Sequence, residues 1–153
     1  MMLSDLFSVR PLKKEDLKMV LTWRNSEKIH SVMLTDHKIT WEEHCNWFEK
    51  VSRNVPCRNL IFEYRNNPIG YIGYTNYDDE GKKCSPGAYI GVDYNVPIDA
   101  GINLFYAAYS NAKHFSSSSA ANEITESTLQ YSLFFASFIL TVTRSMSPTQ
   151  NPP

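Results

Sequence analysis

Three segments with strand-like pattern follow one another in the middle of the chain, and the links between them are very short. Asn59–Arg65 (Asn-Leu-Ile-Phe-Glu-Tyr-Arg) closes on Asn66-Asn67-Pro68, a turn-forming triplet, and Ile69–Tyr77 comes next. A polar, glycine-containing stretch, Asp78–Lys83, then leads toward Gly87–Asp93 (Gly-Ala-Tyr-Ile-Gly-Val-Asp). Parallel neighbours need a crossover of about a dozen residues or more, so these links predict an antiparallel meander. Phe7–Leu12 alternates as well and supplies a first strand, stopped by Pro11.

The remaining patterned segments read as helices. Lys13–Arg24 places Leu17, Val20, Leu21 and Arg24 at helical spacing, an apolar stripe that ends in a cation. Ser26–Met33 continues as a short helix with Ile29, Val32 and Met33 as its apolar side. Thr40-Trp41-Glu42-Glu43 is a capping box, in which the threonine oxygen takes a free helix N–H while Glu43 reaches back. The helix it starts carries Trp41, Cys45 and Phe48 on one face and His44, Trp47 and Val51 on an adjoining one. After a loop over Tyr94–Ala100 that holds Pro97, Gly101–Phe115 forms a last helix, with Leu104, Phe105, Ala108, Ala112 and Phe115 inward. The predicted class is α/β in the mixed sense: a mainly antiparallel sheet flanked by helices.

From Ser116 the character changes. Ser116–Ala121 is a low-complexity, linker-like run, Leu129–Val142 is apolar and fits either a helix or a strand, and Ser145–Pro153 carries three prolines. The organisation expected is therefore a core over 1–115 and an atypical segment over 116–153. The apolar window Leu133–Val142 is about half the roughly 20 residues that a membrane-spanning helix needs, so no membrane partner is expected.

Composition narrows the function. With 15 Lys+Arg against 16 Asp+Glu the formal charge is −1, and no basic run exceeds two residues, which argues against a nucleic-acid partner. Cys45, Cys57 and Cys84 are odd in number and lack metal-ligand spacing, and His30, His37, His44 and His114 make no close pair. No metal is expected, and the cysteines read as reduced thiols in a cytoplasm. Met1-Met2-Leu3-Ser4-Asp5 lacks the basic start of a secretory signal.

The chemistry-bearing residues cluster in Trp23-Arg24-Asn25, then Met33, then Ile39-Thr40-Trp41-Glu42-Glu43-His44-Cys45-Asn46-Trp47-Phe48. Arg24 can fork onto a diphosphate or a uracil edge. His44 and Trp47, three apart on one helix, set a hydrogen-bonding ring beside an aromatic plate, and Met33 offers an adaptable apolar contact. Spacing by itself also fits a surface arginine, a partly buried histidine and a core tryptophan. The pattern W-R-N, a Met nine residues after the Arg, then I-x-x-x-x-H-x-x-W/F, resembles the GNAT N-acetyltransferases over roughly residues 7–115. Within these it is most similar to the nucleotide-sugar N-acetyltransferases of the pseudaminic acid pathway.

The resemblance implies acetyl-CoA as co-substrate and the amine of a UDP-linked amino-dideoxy sugar as acceptor, held by Arg24, Met33, His44 and Trp47. It implies that acetyl-CoA lies along Tyr89, Ile90, Gly91 and Val92, main chain to pantetheine, with Gly91 allowing close approach. Its pyrophosphate would meet the helix start at Ala100, Gly101 and Ile102. Two departures stand out. Asp99 occupies the place of the first glycine in the family's phosphate-binding pattern, and no Arg or Gln precedes it. Asn122 is followed by Glu-Ile-Thr-Glu-Ser-Thr-Leu-Gln-Tyr, which does not match the family's N-x-x-A/S-x-x-L/F-Y segment, so Tyr131 is not assigned as the proton donor. The switch after Phe115 reads as a truncated or frame-shifted C-terminus, and a sheet left open there would self-associate through its edge. W-R-N also occurs in ribosomal-protein acetyltransferases, so a protein N-terminus or another small amine stands as an alternative acceptor. An inactive CoA- or nucleotide-binding module is a third reading.

Overall fold

The computed structural model describes residues 5–33, 35, 37–54, 59–78 and 83–115. The expectations for 116–153, including the apolar segment and the proline-rich tail, lie outside these residues. The described strands form one antiparallel sheet in the order β1-β2-β3-β4: β1 Phe7–Pro11, β2 Asn59–Tyr64, β3 Asn67–Asp78 and β4 Lys83–Ile90. The helices are α1 Leu17–Asn25, entered through a 3-10 turn at Lys14–Asp16, then α2 Glu27–His30, α3 Trp41–Asn54 and α4 Ala100–Phe115.

Several boundaries differ from the sequence reading. The turn between β2 and β3 is made by Arg65 and Asn66, at φ 50° and 63°, so Asn67 and Pro68 already belong to β3. Two consecutive left-handed residues make the tight hairpin turn whose twist matches that of the strands, and asparagine tolerates that conformation well. β4 begins at Lys83 and ends at Ile90, four and three residues earlier than the expected Gly87 and Asp93, because β3 and β4 pair back to Asp78 and Lys83. α2 ends at His30, one turn after Ser26 caps it, and Val32 is 42% exposed rather than inward.

Alternation sorts the side chains between two faces. Leu60, Phe62, Ile72, Tyr74, Ala88 and Ile90 share one face with Phe7, which stacks on Phe62 at 5.4 Å. α4 covers that face with Leu104, Ala107 and Ala108, and Tyr74 Oη donates to the Ala108 carbonyl at 2.6 Å. Ile61, Tyr71 and Tyr89 lie on the other face, beneath α1 and α3. There Leu17, Val20 and Trp23 of α1 and Ile29 of α2 are buried.

One charged cluster ties the start of α1 to the sheet. Arg10 of β1 forks onto both Asp16 oxygens at 2.7 and 2.9 Å, and its Nε donates to Glu63 of β2 at 2.7 Å. Asp16 also accepts the Lys13 N–H at 2.9 Å, so the carboxylate organises the turn that leads into α1. The hydrogen bonds from Arg10 hold the Asp16 carboxyl below the usual carboxylate range. The unfolded group takes up its proton more readily than the folded one. The resulting stability is therefore present above about pH 4 and is lost as the pH falls through the lower folded value. Asp16→Asn should cost about 2 kcal/mol by leaving Arg10 half paired, and should flatten the acid slope of melting temperature measured below about pH 4.

Candidate functional site

The sheet face under α1 and α3 carries a continuous row of rings. Tyr71 and Tyr89 are register partners on β3 and β4, with centroids 5.4 Å apart. Trp47 of α3 meets Tyr71 edge-on at 6.3 Å, and His44, one helical turn earlier, stacks on Trp47 at 5.2 Å. The adjoining face of α3 is thus the one turned to the sheet: His44 is buried, whereas Trp41 is 47% exposed.

Local chemistry aims α3. Glu43 N–H donates to Thr40 Oγ1 at 3.2 Å while Glu43 Oε2 accepts the Thr40 N–H at 2.7 Å, the reciprocal pair expected of the capping box. Just before it, the Asn25 side chain clamps Ile39 at two points: Nδ2 donates to its carbonyl at 2.7 Å, and Oδ1 accepts its N–H at 2.8 Å. Asn25, which ends α1, thereby positions the approach to α3.

Shape places the other end of α1. A Cβ on Gly91 would collide with the indole of Trp23, so the glycine is needed to let the ring rest on the main chain after β4. The sequence reading gave Gly91 to the close approach of a ligand; the space is filled by the protein's own tryptophan. Arg24 follows Trp23; burial pushes the Tyr89 phenol up, and the Arg24 charge opposes that shift. His44 and Trp47 therefore meet the sheet at Tyr71, and Trp23, the neighbour of Arg24, rests on the same face at Gly91. The role of Tyr71 and of the Tyr89 side chain was not foreseen, although both tyrosines sit at positions that alternation sends to this face. Met33 is half-buried in the turn after α2.

Polar groups on this face are left open. Among the described residues the enclosed side-chain nitrogens and oxygens without a partner are Arg24 Nη1, His30 Nε2 and His44 Nε2. Such groups are costly, about 1–3 kcal/mol each, unless something pairs with them. Burial pushes the His44 imidazole below its ordinary range, and a hydrogen bond to the Leu17 main chain opposes that shift. Arg24 is a donor only. Leu17, beside His44, and Arg24 are two turns apart on α1, about 10 Å along the axis.

The expected acetyl-CoA stretch is only partly open. The Gly91 N–H donates to the Ile69 carbonyl at 2.9 Å, so it faces β3. Main-chain groups alternate sides along an antiparallel strand, which turns the N–H and C=O of Ile90 to the outer edge of β4. The Val92 carbonyl accepts from Lys28 Nζ at 3.1 Å, and burial lowers the affinity of that ammonium for its proton against the pull of Asp93. At the start of α4, Ala100 is buried and its N–H is held by the Pro97 carbonyl at 2.9 Å. Asp99 takes the cap position: its carbonyl receives the Asn103 N–H at 3.0 Å, and its carboxylate accepts from Asn103 Nδ2 at 3.3 Å. Of the expected helix-start residues, Gly101 and Ile102 keep N–H groups that no main-chain bond outside the helix takes up. Among the described residues no three His, Cys, Asp or Glu side chains gather as metal ligands, and no helix is long and apolar enough to cross a membrane.

No family model matches the chain, and no curated protein does. Solved structures do. An N-acetyltransferase from Staphylococcus aureus Mu50 superposes with a TM-score of 0.60 at 20% identity, over 85% of this chain and 82% of that one. A proposed acetyltransferase of Salmonella typhimurium, solved with its cofactor acetyl-CoA, gives 0.57 at 15% identity over 74% of this chain, which spans 66% of that protein's length. The ribosomal-protein-alanine N-acetyltransferase of Brucella melitensis gives 0.56 at 17% identity, over 70% and 67% of the two chains. The mixed α/β architecture is the fold of these N-acetyltransferases.

His44 gives this site a pH signature. Its folded pKa lies below its ordinary value of 6.5, so the unfolded chain binds the proton more readily and stability falls as the pH drops below about 6.5 through the folded value. Replacing His44 by Gln should remove that part of the decline in melting temperature between about pH 7 and pH 5.

Proposed function

We propose that this chain is an acetyl-CoA-dependent N-acetyltransferase whose acceptor is the amine of a UDP-linked amino-dideoxy sugar, of the kind used in pseudaminic acid and flagellin glycosylation. The observation that carries the reading is the pair of enclosed, unpartnered nitrogens, Arg24 Nη1 and His44 Nε2, on a floor of aromatic rings. In this reading a neutral His44 ring accepts at Nε2 from an N–H such as that of a uracil imide. Trp47 beside it offers a plate for the base. Two turns further along α1, Arg24 takes the acceptor-only diphosphate, so the spacing suits a nucleoside laid along the helix. Met33 belongs to the same cradle in this reading.

The N-acetyltransferase fold supports acetyl-CoA as co-substrate, and so do the outward main chain of Ile90 and the open N–H groups at Gly101 and Ile102. In the reaction the neutral amine attacks the thioester carbonyl, the C–S bond breaks, the amine loses a proton and the CoA thiolate gains one. The outward N–H of Ile90 is suited to the developing oxyanion. The departing thiolate needs an acid, and no described side chain is assigned that task. Residues 1–115 would constitute the catalytic core and 116–153 a separate segment, with the outer edge of β4 the surface for self-association. Asp99 opposes the fit, since its carboxylate stands at the helix start where a pyrophosphate would lie. A second reading, acetylation of a protein N-terminus, draws on the likeness to the Brucella structure.

The test is turnover by the full chain with acetyl-CoA, offered a UDP-amino sugar and an alanine-starting peptide. Acetylation of the sugar alone is expected; acetylation of the peptide alone would replace the reading with the second one. A melting shift with acetyl-CoA but no turnover of either would mean an inactive binding module. Arg24→Ala should weaken UDP-sugar binding by about ten- to a hundredfold, since a charge-assisted hydrogen bond is worth about 1.5–3 kcal/mol. Asp99→Asn, which keeps a capping side chain and removes the charge, should tighten acetyl-CoA in calorimetry.

A further inference from the structure

Two adjacent main-chain positions just past β4 are held from three directions. The Gly91 N–H donates to the Ile69 carbonyl of β3 at 2.9 Å. The Trp23 indole of α1 fills the space that a Cβ on Gly91 would need. Lys28 Nζ of α2 donates to the Val92 carbonyl at 3.1 Å, a bond between residues 64 apart in the chain. A strand end ordinarily loosens where its ladder stops, whereas this one is clamped beyond that point.

The support behind Lys28 comes from the junction of α1 and α2. Ser26 Oγ donates to the Trp23 carbonyl at 2.7 Å and accepts the Ile29 N–H at 3.4 Å, so one side chain closes α1 and caps α2. Ile29, next to Lys28, is fully buried. The lysine is therefore presented by a short helix whose place is tied to the same Trp23 that meets Gly91. Its ammonium is half-buried, where a charge without a partner is costly, and the Val92 carbonyl receives it. Val92 is buried as well, so without this donor its carbonyl would turn toward water and carry the peptide with it.

We infer that Lys28 is a positioning residue for acetyl-CoA: by holding the Val92 carbonyl it fixes the course of the main chain at the end of β4, next to the outward N–H and C=O of Ile90. The inference rests on the reading that lays the pantetheine arm along Tyr89–Val92, and adds to it a side chain of α2 that acts through the main chain. The start of α4 has supports of its own, the Pro97 carbonyl on the Ala100 N–H and the cap between Asp99 and Asn103. Loss of the Lys28 donor should therefore disturb the seat of the arm and spare that of the nucleotide.

The experiment is calorimetric titration of the full chain, of Lys28→Met and of Lys28→Arg. The two ligands are acetyl-CoA and the phosphoadenosine diphosphate that remains of coenzyme A when the pantetheine arm is removed. Methionine keeps an apolar stem and removes the donor; arginine keeps a cationic donor. Lys28→Met should bind acetyl-CoA about tenfold more weakly, the loss expected for a hydrogen bond from a charged group, and keep its affinity for the nucleotide. Lys28→Arg should retain most of the acetyl-CoA affinity. Unchanged acetyl-CoA binding by Lys28→Met, equal losses for the two ligands, or an equal loss in Lys28→Arg would each overturn the inference while leaving the cofactor reading standing. If the parent chain does not bind acetyl-CoA, that reading itself falls and the inference falls with it.

Discussion

The contact between Gly91 and the Trp23 indole decides where the functional face forms. A methyl group at position 91 would overlap the ring, and a packed interior accommodates such overlap by displacing a whole element rather than by yielding locally. Because the position is bare, the last turn of α1 comes down onto the main chain just after β4. The first turn of the same helix is held by a different force, the Arg10–Asp16–Glu63 cluster that reaches from two strands. One helix is thus fixed by charge at its start and by shape at its end. The residues it carries inherit their positions from both.

The two faces of the sheet differ in how completely their polar groups are paired. On the α4 side, Tyr74 finds the Ala108 carbonyl and the rest of the contact is apolar. On the α1 and α3 side, some polar groups are fully used: the Asn25 clamp on Ile39, the Thr40–Glu43 cap and the Tyr71–Asn59 pair. These do mechanical work, setting the approach and angle of α3. Interleaved with them are Arg24 and His44, each with one enclosed nitrogen that has no partner among the described residues. Enclosed nitrogens without a partner are rare in a packed fold, and here they stand beside polar groups that are paired.

Much of this was legible from local chemistry. The capping box at Thr40, the helical stripe through Leu17, Val20 and Arg24, and the side-by-side placement of His44 and Trp47 depend on groups within one or two turns of each other. The antiparallel order followed from links too short for any other pairing. The errors came where a longer range decided. Pro68 looked like part of a turn, but the left-handed pair Arg65–Asn66 had already reversed the chain. The sequence left open which of the two faces of α3 meets the sheet, and it is the one with His44 and Trp47. β4 was read too late because its apolar end is more conspicuous than its polar beginning, while main-chain pairing with β3 takes little account of side-chain polarity.

By itself the sequence determined the succession of strands and helices, the capping box of α3 and the pairing of His44 with Trp47 on one helix face. Those outcomes rest on interactions between residues a few positions apart, which are present in the chain before it folds. The tertiary structure alone decided that Gly91 houses Trp23, that the Gly91 N–H turns inward while Ile90 faces out, and that His44 Nε2 is enclosed without a partner. It also decided that the Tyr71 hydroxyl finds Asn59, which stands across the hairpin on β2. Each of these turns on the register between strands and on close approach between residues more than ten positions apart. Such distances exist only once the sheet is assembled and the helices are pressed against it.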